Sequence, residues 1–317
     1  MATKDLKSAF DAMYHGKHDF SDFATGDVSE KYRRLDLTNK NVYTADTKLK
    51  VYHKFLNLFV FQWMRFNTNC VYSYRKGMNV ASAVEKHANS RHFFQTDLND
   101  FFGSLGAPLI KKTLCESLDQ YPVTDVEDHI NRIIELCTVD NKLPIGFSTS
   151  PLISNSCLFH FDNDLEAHCK NNELIYTRYS DDIIISGSEG KLYGVGKVVE
   201  SMLAHHYDTS LSINTTKTKY SSIGNRVKIL GMTILPNGML TIDAKLKVEI
   251  EVLLHFYIKD KQKFLDKIQT DSASALIKLS GYLNYINTVD QNYLNKLRKK
   301  YGASVIDMFV RGSVKLL

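Results

Sequence analysis

Two adjacent acids, Asp181 and Asp182, sit inside Tyr176-Thr177-Arg178-Tyr179-Ser180-Asp181-Asp182-Ile183-Ile184-Ile185, between flanks made of strand formers. Carboxylates side by side at a hairpin tip repel each other and destabilise the turn unless a cation compensates. Taken alone, the pair also reads as an ordinary polar turn, since Asp favours turns. A second acid shifts the balance. Phe93-Phe94-Gln95-Thr96-Asp97 is another short strand-type run ending on a carboxylate, with Asp100 and then Phe101-Phe102 after it. If the two strands are neighbours in one sheet, Asp97 and Asp181 converge at one end. That arrangement suits two Mg2+ ions about 3.5–4 Å apart, the geometry of in-line phosphoryl transfer. One ion lowers the pKa of an attacking hydroxyl and aligns it, while the other holds a triphosphate and neutralises the leaving pyrophosphate. Magnesium fits because it takes few carboxylates and completes its octahedron with water and phosphate oxygens.

The elements that must position these acids follow from periodicity. Residues 1–90 read mostly as helix and loop. Leu49, His53, Phe55, Leu56 and Phe59 to Phe61 form the apolar face of a helix ending near Arg65. A break at Tyr74-Arg75-Lys76-Gly77 precedes a second helix from about Val80 to His87. Helices are expected over about 107–138 and, after the break Leu143-Pro144-Ile145-Gly146, in one long stretch from about Thr149 to Cys169. The strand pair Ile175 to Tyr179 and Ile183 to Ser186 follows, then helix around 191–206. Val227 to Leu235 and Met239 to Ile242 form a hairpin across Pro236-Asn237-Gly238, a strong turn signal. The tail is helical, with an Asp271/Ser272 cap before Leu276, Leu279, Leu283 and Ile286. The pattern is α+β, with a helical, basic appendix.

Composition bounds the rest. The chain has 317 residues, 44% hydrophobic and 24% charged, enough for one large domain or two ordinary ones with real cores. No apolar run of about 18 residues is present, so no membrane span is expected. The charged start lacks the apolar core of a signal peptide, which makes a cytoplasmic protein the expectation. Cys70, Cys115, Cys137, Cys157 and Cys169 are scattered and never spaced C-x₂-C, so reduced, mostly buried thiols are expected rather than zinc or disulfides. The net charge is +5. From Lys245 onward thirteen Lys and Arg stand against seven Asp and Glu, leaving the rest of the chain close to neutral. A basic C-terminal third suits a polyanion partner.

The ordered motifs resemble those of reverse transcriptases. YSDD (179–182) looks like their Y-x-D-D box and FQTDLNDFF (94–102) like motif A. LPIGFSTSPLISN (143–155) is similar to motif B, INTTKTKY (213–220) to motif D, and ILGMTILPNG (229–238) to the primer-grip hairpin. YRKGMNVASAVEKH (74–87) resembles the block before motif A in retron and group II intron enzymes, and GYLNYINTVDQNYLNKLRKKYG (281–302) resembles the thumb helix of the same bacterial group.

The resemblance implies a right-hand polymerase: fingers over 1–90, a palm with an antiparallel sheet over 91–243 with an interleaved fingers segment, and a helical thumb over 244–317. It implies that Asp97 and Asp181 are ligands to two Mg2+ ions, with Asp182 as the supporting acid. Phe102 matches the steric-gate aromatic that excludes a ribose 2′-hydroxyl. Lys217 matches the motif D lysine, which stabilises or protonates the leaving pyrophosphate. Gly146 would let backbone approach the nascent base pair. Arg33 resembles the fingers arginine on the triphosphate, with Arg75 and Lys76 as second candidates. Leu230 and Gly231 fall where the primer grip bends.

Three departures stand beside the match. Ile145 occupies the motif B position that usually carries Gln, so it offers packing and no side-chain hydrogen bond. Only His87 remains of the N-A-x-x-H block, and Ile229-Leu230-Gly231 replaces V-T-G. A retron enzyme and a related antiphage-defence reverse transcriptase therefore both stay open. The implied partners are dNTPs, a structured non-coding RNA as template and primer, and nascent DNA. That RNA would be held by the basic thumb and by stacking on some of the 34 Tyr and Phe. An accompanying effector protein and a higher assembly are left open. Termination soon after the thumb argues against a group II intron protein. Two other classes remain: a template-independent or protein-primed polymerase on the same palm, and an inactive RNA-binding scaffold, against which the three intact acids speak.

Overall fold

The computed structural model describes residues 4–37, 40–188, 191–224, 226–269 and 271–312, all but the side chains at 36, 37 and 40. In chain order the helices and strands begin with α1 (Leu6–Tyr14), α2 (Phe20–Thr25), β1 (Tyr32–Leu37), β2 (Lys40–Ala45), α3 (Thr47–Phe59) and α4 (Val80–Glu85). β3 (His92–Asp97), α5 (Ala107–Cys115), α6 (Val126–Cys137), α7 (Ser150–Cys157) and α8 (Phe159–Asn171) lead to β4 (Ile175–Tyr179) and β5 (Asp182–Gly187). Then come α9 (Val195–Tyr207), β6 (Lys219–Ser222), β7 (Val227–Ile229), β8 (Met232–Ile234) and β9 (Leu240–Ile242). The chain closes with α10 (Ala244–Lys259), α11 (Lys261–Ile268), α12 (Ser272–Val289), α13 (Gln291–Tyr301) and α14 (Ala303–Val310). The α+β expectation holds. The chain divides into two units: Met1–Tyr74, Phe94–Ile185 and Gly190–Lys219 form the first, and Arg75–Phe93, Ser186–Glu189 and Tyr220–Leu317 the second.

The first unit is built on one continuous apolar core. α1, α2 and α3 meet through aromatic rings, with Phe10 centroids 5.4 Å from Phe23 and 5.1 Å from Phe55. Side-chain caps start these helices: Asp5 accepts from the Ser8 amide and Asp46 from the Leu49 amide, each satisfying an amide that has no intrahelical partner. α6 buries Val126, Ile130, Ile133, Ile134 and Cys137, a spacing that puts one face into the core. A four-stranded sheet runs in the order β4-β5-β3-β6. It places the ends of β3 and β5 side by side.

Three local expectations are corrected. Residues 1–90 are not all helix and loop, because β1 and β2 pair antiparallel from Tyr32↔Ala45 to Leu37↔Lys40. The expected helix over Thr149–Cys169 divides into α7 and α8 at the buried Leu158, whose backbone (φ −99°, ψ 12°) leaves the helical region. Val227 to Leu235 is not one strand: it folds at Leu230–Gly231 into β7 and β8, with Ile229 opposite Met232.

The second unit has its own core, centred on Ile250, Leu253, Leu254, Leu279, Leu283, Leu294 and Phe309. Four of its helices start on aspartates. Asp243, Asp260, Asp271 and Asp290 accept from the amides of Lys245, Lys263, Ser274 and Tyr293. The block 281–302 is thus two helices, interrupted at Asp290, whose other carboxylate oxygen binds the Ile242 amide and the Thr241 hydroxyl. Among the described residues, no helix is long and apolar enough to cross a membrane. The five cysteines are free thiols, four buried and Cys115 exposed.

Candidate active site

The site grows from the turn between β4 and β5. Ser180 and Asp181 form its two residues, with Ser180 in the left-handed region at φ +59°. β5 lies against β3, and just beyond the end of β3 the Leu98 amide donates to the Asp181 carbonyl at 3.1 Å. Asp97 therefore stands beside Asp181, as the sequence expects. On the far side of Asp97, its carbonyl accepts from the Asn214 amide at 2.7 Å. The turn that follows brings Lys217 round, and its Nζ donates to Asp97 Oδ2 at 2.7 Å.

The electrostatics are those of an under-neutralised acid cluster. Asp97 is only 7% exposed, and its Oδ1 is buried without a hydrogen-bond partner. Burial, then the charges of Asp181 and Asp97, push the Asp182 carboxyl up to about 6 against the opposing pull of Lys217 and Lys219. The Lys217 pKa is raised too, by the hydrogen bond and charge of Asp97, which for an amine favours the charged form. An orphaned carboxylate oxygen among three acids is a donor set for a hard divalent cation. Among the described residues no group of three or more His, Cys, Asp and Glu side chains could hold a metal ion. The fit is thus to a cation that takes few carboxylates and draws its remaining ligands from substrate and water. Asp100 is spent elsewhere: it sits at φ +37° with its carbonyl accepting from the Ser104 amide at 2.8 Å, against Gly103.

The other expected residues fall in two groups. Phe102 is half-buried beyond β3, its ring centroid 5.2 Å from that of Phe101. Arg33 is exposed on β1 opposite Thr44. The same hairpin reaches Ile145, because the Tyr43 amide donates to the Ile145 carbonyl at 2.8 Å and Val42 bridges Ile145 in parallel. This gives Gly146 a reason the sequence did not show. At φ +107°, a Cβ there would lie 2.1 Å from the Tyr43 carbonyl oxygen, so the close approach it permits within the fold is that of the β1–β2 hairpin. Arg75, Lys76, Leu230 and Gly231 belong to the second unit. Arg75 and Lys76 lie in the turn region before α4, with Lys76 exposed. Leu230 (φ +50°) and Gly231 (φ +79°) form a two-residue turn with both residues left-handed, the type that matches strand twist.

Two buried polar groups near the turn have roles that the motifs do not state. His87 is fully buried with Nδ1 2.6 Å from Ser186 Oγ, and burial drives its pKa down to about 3, so it is a neutral structural imidazole. Arg178, one residue before the end of β4, is fully buried and ion-paired to Asp162. A charged residue between the buried Tyr176 and Thr177 and the YSDD turn was the available signal.

A family model described as reverse transcriptase (RNA-dependent DNA polymerase) matches residues 29–234. Among curated proteins, the chain is 25% identical over 244 residues to the retron Ec83 reverse transcriptase of Escherichia coli, with 74% of each chain covered. It is 27% identical over 274 residues to the retron Ec73 reverse transcriptase of the same organism, covering 83% of each. To the retron Ec86 reverse transcriptase of Escherichia coli it is 24% identical over 241 residues, 74% of this chain and 69% of that one.

Proposed function

We propose that this chain, which belongs to the reverse transcriptase family and is an RNA-directed DNA polymerase of right-hand fold, copies one dedicated structured RNA into DNA in bacterial antiviral defence. The relatives that support a dedicated template are retron enzymes. The observation that carries the chemistry is the meeting of Asp97 and Asp181 at the ends of adjacent strands, with Asp97 Oδ1 unpartnered.

In this reading Asp97 and Asp181 would hold two Mg2+ ions, with Asp182 supplying supporting negative charge. When bound, the ions lower the pKa of the primer 3′-hydroxyl and neutralise charge on the triphosphate. The rest is the work of the chain's own groups. Lys217 gives up its contact with Asp97 Oδ2 as the acids are neutralised, and its ammonium becomes the proton source for the leaving pyrophosphate. Arg33 holds the triphosphate from the hairpin that is hydrogen-bonded to Ile145. The Phe102 ring fills the space a ribose 2′-hydroxyl needs. Leu230 and Gly231 hold the primer strand, and the basic helices α10–α14 act as the thumb on the nucleic-acid backbone.

Sequencing the nucleic acid that co-purifies with the protein tests this reading, with RNase and DNase digestions beside an Asp181→Ala/Asp182→Ala control. A single RNA species joined to DNA is expected, with the DNA lost in the double variant. DNA attached to protein, or homopolymer without a matching RNA, overturns it in favour of protein-primed or untemplated synthesis.

A further inference from the structure

Beneath the catalytic turn lies a buried polar network that joins three separate sequence blocks. Arg178 uses all five guanidinium N–H groups. Nε and Nη2 donate to Asp162 Oδ1 and Oδ2 at 2.8 and 2.6 Å, Nη2 also to the Asn155 carbonyl at 3.2 Å. Nη1 donates to Asn155 Oδ1 at 3.4 Å and to the Ser180 carbonyl at 3.0 Å. The Tyr176 hydroxyl gives Asp162 Oδ1 a further donor at 2.7 Å. Burial alone would lower the guanidinium pKa; the Asp162 carboxylate more than reverses this, so Arg178 stays charged. Asn155 in turn donates from Nδ2 to the Ser73 carbonyl at 2.9 Å and accepts from the Ser73 hydroxyl at 3.2 Å. Ser73 Oγ then accepts the Ser180 amide at 2.8 Å.

Both backbone polar groups of Ser180 are therefore held from below, the carbonyl by Arg178 and the amide by Ser73. Ser180 is also the residue whose left-handed φ sets the direction of the next side chain, Asp181. A non-glycine residue keeps such a conformation only where its surroundings over-determine it. A buried ion pair is weak evidence for stability, because desolvation offsets its attraction; what it supplies here is a fixed geometry. We propose that Ser73, together with the Arg178–Asp162 pair, is a positioning residue for Asp181: the network holds the Ser180 peptide so that the Asp181 carboxylate is presented in its working direction. This rests on the reading of Asp181 as a catalytic acid.

Arg178→Ala leaves Asp162 buried and unpaired and can simply unfold the chain, so Ser73→Ala, which deletes one hydroxyl, is the informative variant. It is compared with wild type, with Asp181→Asn, and with Thr138→Ala, which removes a buried hydroxyl bonded to the Ile134 carbonyl. On a primed RNA template, Ser73→Ala is expected to lower kcat by roughly 10- to 100-fold with dNTP KM changed less than about twofold, since misdirection costs rate rather than binding. Hydrogen exchange at the Ser180 amide is expected to accelerate, and Thr138→Ala to keep wild-type kcat. Wild-type kcat in Ser73→Ala beside an inactive Asp181→Asn overturns the positioning role alone. Equal losses in Ser73→Ala and Thr138→Ala also overturn it, as general loosening. Full activity in Asp181→Asn overturns the underlying reading of the acid.

Discussion

At pH 7 Asp182 carries a charge that its surroundings resist, since burial and then Asp181 and Asp97 push its carboxyl up to about 6. An unfolded aspartate titrates near 3.9, so the folded chain holds this proton more tightly than the unfolded one. The resulting stability is present below about pH 4 and is lost as pH rises through about 6. Asp182→Asn removes the repulsion. Without metal it should melt close to wild type at pH 4 and above it at pH 7, by an amount worth about 1–2 kcal/mol after solvent screening. Calorimetry at both pH values checks this, and a gap that shrinks toward pH 7 contradicts it. Mg2+ should raise the melting temperature of wild type at pH 7 and do so far less in Asp182→Asn. Lys217 is the complementary case. Its side chain is 66% exposed, so Lys217→Ala should leave the melting temperature within about a degree. Incorporation should slow by roughly 10- to 100-fold if its ammonium is the proton source. Single-nucleotide incorporation rates measure that directly, and an unchanged rate removes Lys217 from the chemistry.

The elements show why some residues were legible and others were not. Asp97, Asp181 and Asp182 announce themselves because each adjoins a short run of strand formers, where a carboxylate needs a reason. The β1–β2 hairpin was missed because Tyr-Arg-Arg-Leu-Asp-Leu lacks the clean apolar alternation of a half-buried strand, and a partner, Ile145, lies about a hundred residues away. Periodicity hides the turn at Leu230–Gly231 inside the apolar run Val227–Leu235, because a leucine with positive φ contradicts local preference, and only the resemblance to the primer grip puts a bend there. Tertiary contacts decide both. Gly146 carries the element-scale prediction. Gly146→Ala drives a Cβ into the Tyr43 carbonyl at a backbone conformation alanine resists. It should cost about 2–4 kcal/mol in denaturant unfolding. It should also loosen the β1–β2 hairpin, raising dNTP KM if Arg33 binds the triphosphate. A variant of wild-type stability would show that the hairpin yields freely.

Across the whole molecule, charge is sorted by use. In the second unit the acids serve the fold: Asp243, Asp260, Asp271 and Asp290 cap helices. Glu249, Glu251 and Asp307 pair with Lys278, Lys300 and Arg298. The surplus of Lys and Arg from Lys245 onward is the charge that the proposed contact with a nucleic-acid backbone would use. The order of the motifs disclosed the family, while the buried pair Arg178–Asp162 had no periodic signature and emerged only from packing. The catalytic role of Asp181 and Asp182 is tested most directly by primer extension on an RNA template with dNTPs and Mg2+, comparing wild type with Asp181→Ala/Asp182→Ala. Template-complementary DNA is expected from wild type, with synthesis lost by roughly 10²-fold or more in the double variant and the fold retained. Undiminished synthesis without both acids, or wild-type product that ignores the template sequence, would contradict that expectation.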